Sequence, residues 1–330
     1  LREGGDKKEQ KVAYKIFRIV KTVIKTFLYI LIFILLLLML PVVQTKLATW
    51  VMDRINKDYK VNMHVERVSI SLTGMVGLDG VLIRDHHQDT LIAARQIRTP
   101  LLDLKAVMEG NLIFSTIDAD GLVMDMKTYK GDTLSNLDVF VASFDSGEPS
   151  SPKPFIMRAN TIRLKNSYFR VCDFNTTTQE SPILVEVEGI GGIISDFEIV
   201  DSDVKLQMKH GELLYGKHLK VDDLFANFHY ADTLISLDGM LLKTPFSTID
   251  ADLSFAPYKE SYADFLNKVT VKATLRNSLI STNDLNGFYD GFAMEKNLEV
   301  EGELSGTLNN LSIKDIHLYH ESTSVEAENI

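Results

Sequence analysis

The sequence predicts a mainly β fold, in which one N-terminal transmembrane helix precedes an elongated, mostly antiparallel sheet with one or two short helices. Three observations predict it. An uncharged apolar run occupies residues 26–45. Beyond Tyr59, apolar and polar residues alternate with the period of two that is typical of strands. Glycine-containing turn signals recur between the alternating stretches.

The run of residues 26–45 predicts an uncleaved signal anchor that crosses the membrane once. About 20 apolar residues in a helix span about 30 Å, the thickness of the hydrocarbon core of a bilayer. A secretory signal has a shorter apolar region of roughly 7–15 residues and a small-residue cleavage site, which the segment after Pro41 lacks. Residues 1–25 hold eight Lys/Arg and three acidic residues. This basic head should therefore stay cytoplasmic, with the body on the other side.

A short amphipathic helix is predicted directly after the anchor. Leu47, Trp50, Val51 and Ile55 recur at helical spacing. The helix could lie at the membrane surface, with Trp50 at the membrane interface, where tryptophan is enriched. It could instead cap the first strands of the body. The sequence leaves both alternatives open.

Strands dominate the remainder of the chain. In residues 269–276, apolar side chains at odd positions alternate with polar ones, and residues 204–209 and 298–305 behave in the same way. Such alternation indicates one dry and one wet face, as in antiparallel sheets. The turn signals expected to separate the strands are Asp79-Gly80, Asp120-Gly121, Lys130-Gly131-Asp132, Glu188-Gly189, Asp238-Gly239 and Asn286-Gly287.

Helices and boundaries are few. Residues 99–111 predict a short helix, with Thr99 as cap and Pro100 in the first turn, and residues 261–269 are a weaker candidate. Residues 145–154 contain three prolines and predict an exposed loop between a unit at 46–144 and further β repeats at 155–330. The same loop could be a surface excursion within one continuous sheet.

The chain also repeats itself. The hexapeptide STIDAD occupies residues 115–120 and 247–252, and each copy follows a Leu-Asp-Gly stretch, at residues 78–80 and 237–239. These copies indicate repeated β units stacked along an axis. Coincidence among strand-forming residues is the alternative.

Composition and motifs argue against several functions. The whole chain has a net charge of −10 and the basic head is +5, so the body is −15, which argues against nucleic acid as a partner. No catalytic or cofactor-binding fingerprint is present, and we expect no enzyme activity. Residues 85–89, Asp-His-His-Gln-Asp, are the nearest approach to a metal cluster, but a solvated turn is the expectation. The single cysteine, Cys172, is expected to act as a small buried hydrophobe.

The order of these parts resembles the N-terminal portion of the TamB family, of the AsmA-like superfamily, in its Bacteroidetes form. The resemblance is clearest over residues 26–128, where the anchor runs into PVVQTKLATWVMDRINKDYKVNMHVERVSISL and the strand pair LTGMVGLDGVLIRDHHQDTLIAARQI follows. The helix LLDLKAVMEGN, the strands LIFSTIDADGLVMDMK and the segment RANTIRLKNSYFRVCDF continue the pattern. Family members are longer and end in a domain that this sequence lacks, so a C-terminally incomplete chain is expected.

The resemblance implies a sheet curled lengthwise into a periplasmic trough, anchored in the inner membrane with its N-terminus cytoplasmic. Its apolar groove would carry phospholipid towards the outer membrane, or the chain would aid outer-membrane protein assembly with an Omp85-type barrel. The candidate groove-lining residues are Val185, Val187, Leu206, Met208, Phe228, Val269, Val271, Leu275, Val300 and Leu304.

One alternative to a groove stays open. The same residues could form the closed core of a β-sandwich. Such a module would be structural and would recruit an outer-membrane partner by strand pairing at an open edge.

Overall fold

A computed structural model of the chain describes most of the body and part of the N-terminal segment. Helices were predicted at 99–111 and 261–269, and most of their residues, 101–110 and 261–267, lie outside the described residues. The predicted proline-containing loop at 145–154 also lies outside them. The described residues are 18, 21–22, 25–34, 36–37, 39–100, 111–143, 156–175, 181–200, 203–216, 218–231, 233–257, 268–287, 296–307, 309–320 and 323–329.

The described residues form one open sheet of fifteen strands, which confirms the prediction of a mainly β, mostly antiparallel fold. Consecutive strands are neighbours throughout, except that β7 pairs with both β8 and β9. The strands are β1 (Asn62–Ile70), β2 (Met75–Arg84), β3 (Thr90–Pro100), β4 (Asn111–Thr128), β5 (Ile156–Asp173), β6 (Ile183–Val200), β7 (Asp203–Tyr215), β8 (Leu219–Val221), β9 (Asp223–Ala231), β10 (Leu234–Lys243), β11 (Thr248–Pro257), β12 (Val269–Ser281), β13 (Asn297–Thr307), β14 (Asn310–His320) and β15 (Thr323–Asn329).

The described residues contain three short helical elements besides the N-terminal segment. They are α1 (Pro41–Tyr59), α2 (Asn136–Ala142) and α3 (Thr282–Leu285). The sequence predicted that Thr99 and Pro100 begin a helix, and this prediction was wrong. They end β3 instead, where they pair with Val76 and Met75 of β2.

One pair of strands, β4 and β5, is parallel, from Asn111 opposite Ile156 to Thr128 opposite Asp173. A parallel pair needs a crossover connection, and the segment between the two strands, which includes α2, supplies it. The sheet therefore runs without interruption from the strands before the proline-containing loop to those after it.

Four of the predicted turn signals lie inside strands and do not separate them. Gly80 lies within β2, Gly121 within β4, Gly189 within β6 and Gly239 within β10, and each has a positive φ between 59° and 64°. A left-handed residue in a strand bends it and increases its twist, as in a β-bulge. The turn prediction was wrong at these glycines because a bend and a turn need the same backbone conformation. Only Lys130-Gly131-Asp132 and Asn286-Gly287 lie outside strands.

The helix α1 lies along the outer edge of β1 and occupies the place of a neighbouring strand. Gln44, Thr45 and Asn56 each exchange two hydrogen bonds with the backbone N–H and C=O of one β1 residue, at Ile70, Val68 and Met63 respectively. Unpaired edge groups promote association between sheets, and these side chains satisfy them. Of the two roles left open for this helix, the structure assigns it the capping of the first strand.

Residues 25–34 are helical, and their large apolar side chains are exposed. Among the helices of the described residues, none combines the length and the apolar character that a membrane crossing requires.

Candidate functional site: the apolar face of the sheet

The cross-strand register creates an uninterrupted apolar row from β7 to β14. Residues opposite one another on adjacent strands project to the same face, and successive residues of a strand project to opposite faces. The row consists of Leu206, Phe228, Leu237, Leu253, Ala273, Leu304 and Ile313. A second row two positions away consists of Val204, Tyr230, Ile235, Phe255, Val271, Gly306 and Leu311.

A third row lies between the two apolar rows. Its side chains project to the other side of the sheet and are polar on every strand. It consists of Lys205, His229, Ser236, Ser254, Lys272, Ser305 and Ser312. The register therefore sorts the alternation of the sequence into an apolar face and a polar face across seven strands. Here the prediction that the alternation separates an apolar face from a polar face is confirmed.

Within the described residues, no second sheet lies over the apolar face. The apolar side chains pack against their sheet neighbours in two clusters drawn from consecutive strands. The first cluster, from β3 to β7, contains Ile97, Phe114, Ile117, Met157, Ala159, Ile162, Leu164, Ile194, Phe197, Leu206 and Met208. The second, from β9 to β12, contains Leu224, Ala226, Leu237, Met240, Leu242, Ile249, Ala251, Leu253 and Leu275.

The ten candidate groove residues lie on strands from β6 to β13, and register shifts separate Val185, Val187 and Val300 from the two apolar rows. Leu206, Phe228 and Leu304 share the first row, and Val271 lies in the second. The others are placed by their cross-strand partners: Met208 opposite Ala226, Leu275 opposite Ala251, Val269 opposite Pro257, Val300 opposite Ser278, Val187 opposite Phe169 and Val185 opposite Val171.

Burial divides the candidates into two groups. Val269, Val271 and Val300 are buried, whereas the other seven are half-buried and keep part of their surface open. A closed core would bury such side chains more completely. Sequence reasoning missed the row members Leu237 and Leu253, although alternation in strands β10 and β11 could have found them.

The two STIDAD copies occupy equivalent positions. In the first copy, Ile117 belongs to the first apolar cluster, and Ala119 is buried on the same strand. In the second copy, Ile249 and Ala251 belong to the second cluster. On the polar side, Asp118 accepts a hydrogen bond of 3.0 Å from Arg163, and Asp250 accepts one of 2.9 Å from Arg276. Both aspartates lie within strands, Asp118 in β4 and Asp250 in β11, and each pairs with an arginine of the neighbouring strand.

The polar side of β4 and β5 holds a more deeply buried ion pair. Arg170 donates from Nε and Nη2 to both oxygens of Asp125, at 2.9 and 2.6 Å. The hydrogen bonds that Arg170 donates to Asp125 raise the pKa of its guanidinium further. Cys172 is buried beside this pair, as predicted, and its burial raises the pKa of its thiol.

A second polar cluster, the Asp85 network, joins the β2–β3 turn to the segment that follows β4. Asp85 is 3% exposed and accepts hydrogen bonds from Tyr129 Oη at 2.6 Å and from Asn136 Nδ2 at 2.9 Å. Backbone amides of His87 and Asp89 also donate to it. Burial alone would raise the pKa of Asp85, but these four donors outweigh it and lower the pKa below its ordinary value.

Trp50, the predicted interface residue, lies on α1 with 66% of its surface exposed.

Comparison of the chain with models of known protein families gave no match, and comparison with curated proteins gave none either. The resemblance to the TamB family therefore rests on the sequence motifs and their order.

Proposed function

We propose that this protein is a bridge of TamB/AsmA type, anchored in the inner membrane, that carries phospholipid along the apolar face of its sheet towards the outer membrane. The observation that carries the proposal is the pair of apolar rows from β7 to β14, which no second layer covers among the described residues. Aid to outer-membrane protein assembly, with an Omp85-type barrel as partner, belongs to the same proposal.

The physical basis is the match between the face and an acyl chain. A sheet with an apolar face must bury it against something, and hydrocarbon tails serve as well as protein side chains. Each buried methylene contributes about 0.8 kcal/mol, so two acyl chains would be held without specific polar contacts. Because leucine, valine and phenylalanine recur strand after strand, neighbouring positions offer similar affinity, and a lipid can move along the sheet without a large barrier.

The bends at the left-handed glycines favour a curled sheet. Gly80, Gly121, Gly189 and Gly239 add twist and curvature where they occur. Curling the sheet towards its apolar side would form a trough that shields the tails and leaves the headgroups in water.

The membrane anchor is part of the same proposal. The apolar segment up to Leu40 would cross the inner membrane as one helix, with the basic head in the cytoplasm and the body in the periplasm. The anchor predicted at residues 26–45 would end earlier, because Pro41 begins α1 and Gln44 and Thr45 bond to the edge of β1. The helical part at 25–34 exposes large apolar side chains, among them Phe27, Tyr29 and Phe33, each more than 60% exposed. Such a surface is stable in a bilayer and costly in water.

Site-directed photo-crosslinking in cells tests lipid transport. A benzophenone amino acid would replace Leu304 in one variant and Phe228 in another, with matched controls at Ser305 and His229, one position along each strand on the polar face. We expect phospholipid adducts, detected by mass spectrometry, from the first pair only.

Two results would overturn the lipid-carrying function. Adducts of equal yield from both faces would mean non-specific labelling. Adducts at Leu304 and Phe228 that contain only protein would favour the structural module that recruits an outer-membrane partner by strand pairing.

A further inference from the structure

Three metal-ligating side chains meet outside the apolar face, at the end of the sheet that carries the β2–β3 turn. His86 and His87 lie in that turn, and Asp132 lies in the segment after β4. The Nε2 atoms of the two histidines approach the same carboxylate oxygen, Asp132 Oδ2, at 3.2 and 3.5 Å. One ligand atom from each residue lies within 4.8 Å of those of the other two.

The expectation of a solvated turn is met at His86 and His87, whose side chains are 31% and 47% exposed. No sequence motif joins them to Asp132, which lies 45 positions beyond His87. Adjacent histidines in a strand would point to opposite faces, but in this turn both rings point towards one carboxylate.

We propose that His86, His87 and Asp132 form a binding site for a divalent transition-metal ion, with Zn²⁺ as the ion that suits the ligands. Two imidazoles and one carboxylate are ligands that Zn²⁺ accepts, at about 2.0–2.2 Å. Two atoms at that distance from a tetrahedral ion lie about 3.4 Å apart. The two histidine–aspartate distances of 3.2 and 3.5 Å match this separation.

The surrounding contacts hold the three ligands in place before any ion arrives. The ring of Tyr129 lies 3.9 Å from that of His87, centroid to centroid, and 5.7 Å from that of His86. Asn175 fixes the Asp132 segment, because it accepts from the N–H of Gly131 at 2.8 Å and donates to the C=O of Asp132 at 2.9 Å. Contacts of this kind orient metal ligands and strengthen binding.

Solvent exposure leaves room for water or an outside donor in the remaining coordination positions. The ion would link residues 86–87 to residue 132 and so tie the β2–β3 turn to the segment after β4. A structural or partner-bridging role follows from this position. The proposal is independent of lipid transport.

Titration calorimetry of the full chain in detergent, stripped of metal and free of a histidine tag, tests the site. Zinc chloride is the probe and magnesium chloride the comparison, because Mg²⁺ prefers all-oxygen ligands. We expect one saturable equivalent of Zn²⁺ and none of Mg²⁺. His86→Gln and Asp132→Asn should each weaken Zn²⁺ binding by at least tenfold.

His210→Gln is the matched control. His210 forms a comparable exposed pair with Asp223, at 2.6 Å, but no third ligand was found beside it in the described residues. It should leave Zn²⁺ affinity unchanged. The proposal fails if wild-type protein shows no saturable site, or if His210→Gln weakens binding as much as His86→Gln. Circular dichroism spectra that match the wild type would exclude misfolding as the cause of lost binding.

Discussion

At the scale of single residues, the Asp85 network shows how a buried carboxylate is stabilised by donors from three separate segments. The β2–β3 turn supplies two backbone amides, the segment after β4 supplies Tyr129, and α2 supplies Asn136, which is fully buried. An unpaired charge at this depth would cost several kcal/mol. The four donors remove that cost and connect segments that lie far apart in the sequence.

Tyr129→Phe should destabilise the protein in a pH-dependent way. The phenol donates to Asp85, and burial followed by the hydrogen bonds to Asp85 and Asp89 raises the pKa of Tyr129, so the donor stays protonated. A hydrogen bond to a charged group contributes about 1.5–3 kcal/mol, and we expect a loss of about that size at pH 7 in urea unfolding.

The pH dependence of this loss follows from the sign of the pKa shift. The folded pKa of Asp85 is lowered below 3.8, so its contribution to stability is present above the unfolded pKa of about 3.9 and disappears as the pH falls through the folded value. The variant should therefore differ most from wild type above pH 4 and converge with it below the folded pKa. A deficit at pH 7 that is equal to the deficit below the folded pKa of Asp85 would contradict this account.

At the scale of elements, left-handed residues bend strands that would otherwise be flat. Gly239 in β10 has φ 59°, and the register between Asp238 and Leu241 shifts at this point. A β-carbon at Gly239 would meet only Asn227 Nδ2, at 3.9 Å. Space is therefore available, and the requirement for glycine is conformational.

Gly239→Val should lower the free energy of unfolding by about 1–2 kcal/mol, because a β-branched residue is strained at positive φ. Gly239→Asn should cost less, since asparagine tolerates the left-handed region. Chemical denaturation of both variants measures the difference. Equal stability of the valine variant and wild type would mean that the bend is not fixed at this residue.

Helix α1 protects the sheet edge because its side chains form hydrogen bonds with backbone groups of β1 that a neighbouring strand would otherwise pair. Thr45 illustrates this, since its Oγ1 accepts from the N–H of Val68 at 3.0 Å and donates to the C=O of Val68 at 3.2 Å. Thr49, one helical turn further on, bonds only to the carbonyl of Thr45 within the same helix.

Thr45→Val should destabilise the protein by about 1–2 kcal/mol, because the isosteric change leaves two backbone groups of β1 without a partner. The amide of Val68 should exchange faster with deuterium. Thr49→Val is the control and should change the free energy of unfolding by less than about 0.5 kcal/mol. Similar exchange at Val68 in both variants would show that the helix does not cap the edge through Thr45.

At the scale of the whole molecule, the register turns local alternation into two continuous faces. Leu253 lies at the centre of the apolar row, between Leu237 and Ala273, and Ser254 lies on the opposite face. These two neighbours separate the consequences of an open groove from those of a closed core.

Leu253→Asp should abolish co-purification of phospholipid while the β-sheet signal in circular dichroism persists, because a charge in the proposed groove repels acyl chains. Mass spectrometry of bound lipid is the measurement, and Ser254→Asp is the control that should retain lipid. In a closed core the same aspartate would cost several kcal/mol and unfold the protein. Unfolding of Leu253→Asp, with Ser254→Asp intact, would therefore count against a groove.

The sequence by itself determined the strands, their alternation and the polarity of each face, because side chains alternate with a period of two whatever the partner strand. Alternation at Leu206, Val271 and Leu304 was enough to predict an apolar face. The Asp-Gly turn signals can also be recognised in the sequence. Whether a left-handed glycine ends a strand or bends it, however, depends on hydrogen bonding with the neighbouring strands.

Only the tertiary structure decided which segments meet. It paired β4 with β5 across residues 129–155, set Thr45 against Val68, and brought Asp132 to His86 and His87. These contacts join residues separated by more than 20 positions, and local sequence preferences carry no information at that range. They depend on the register of the sheet, which is fixed when all strands bury their apolar side chains on the same face.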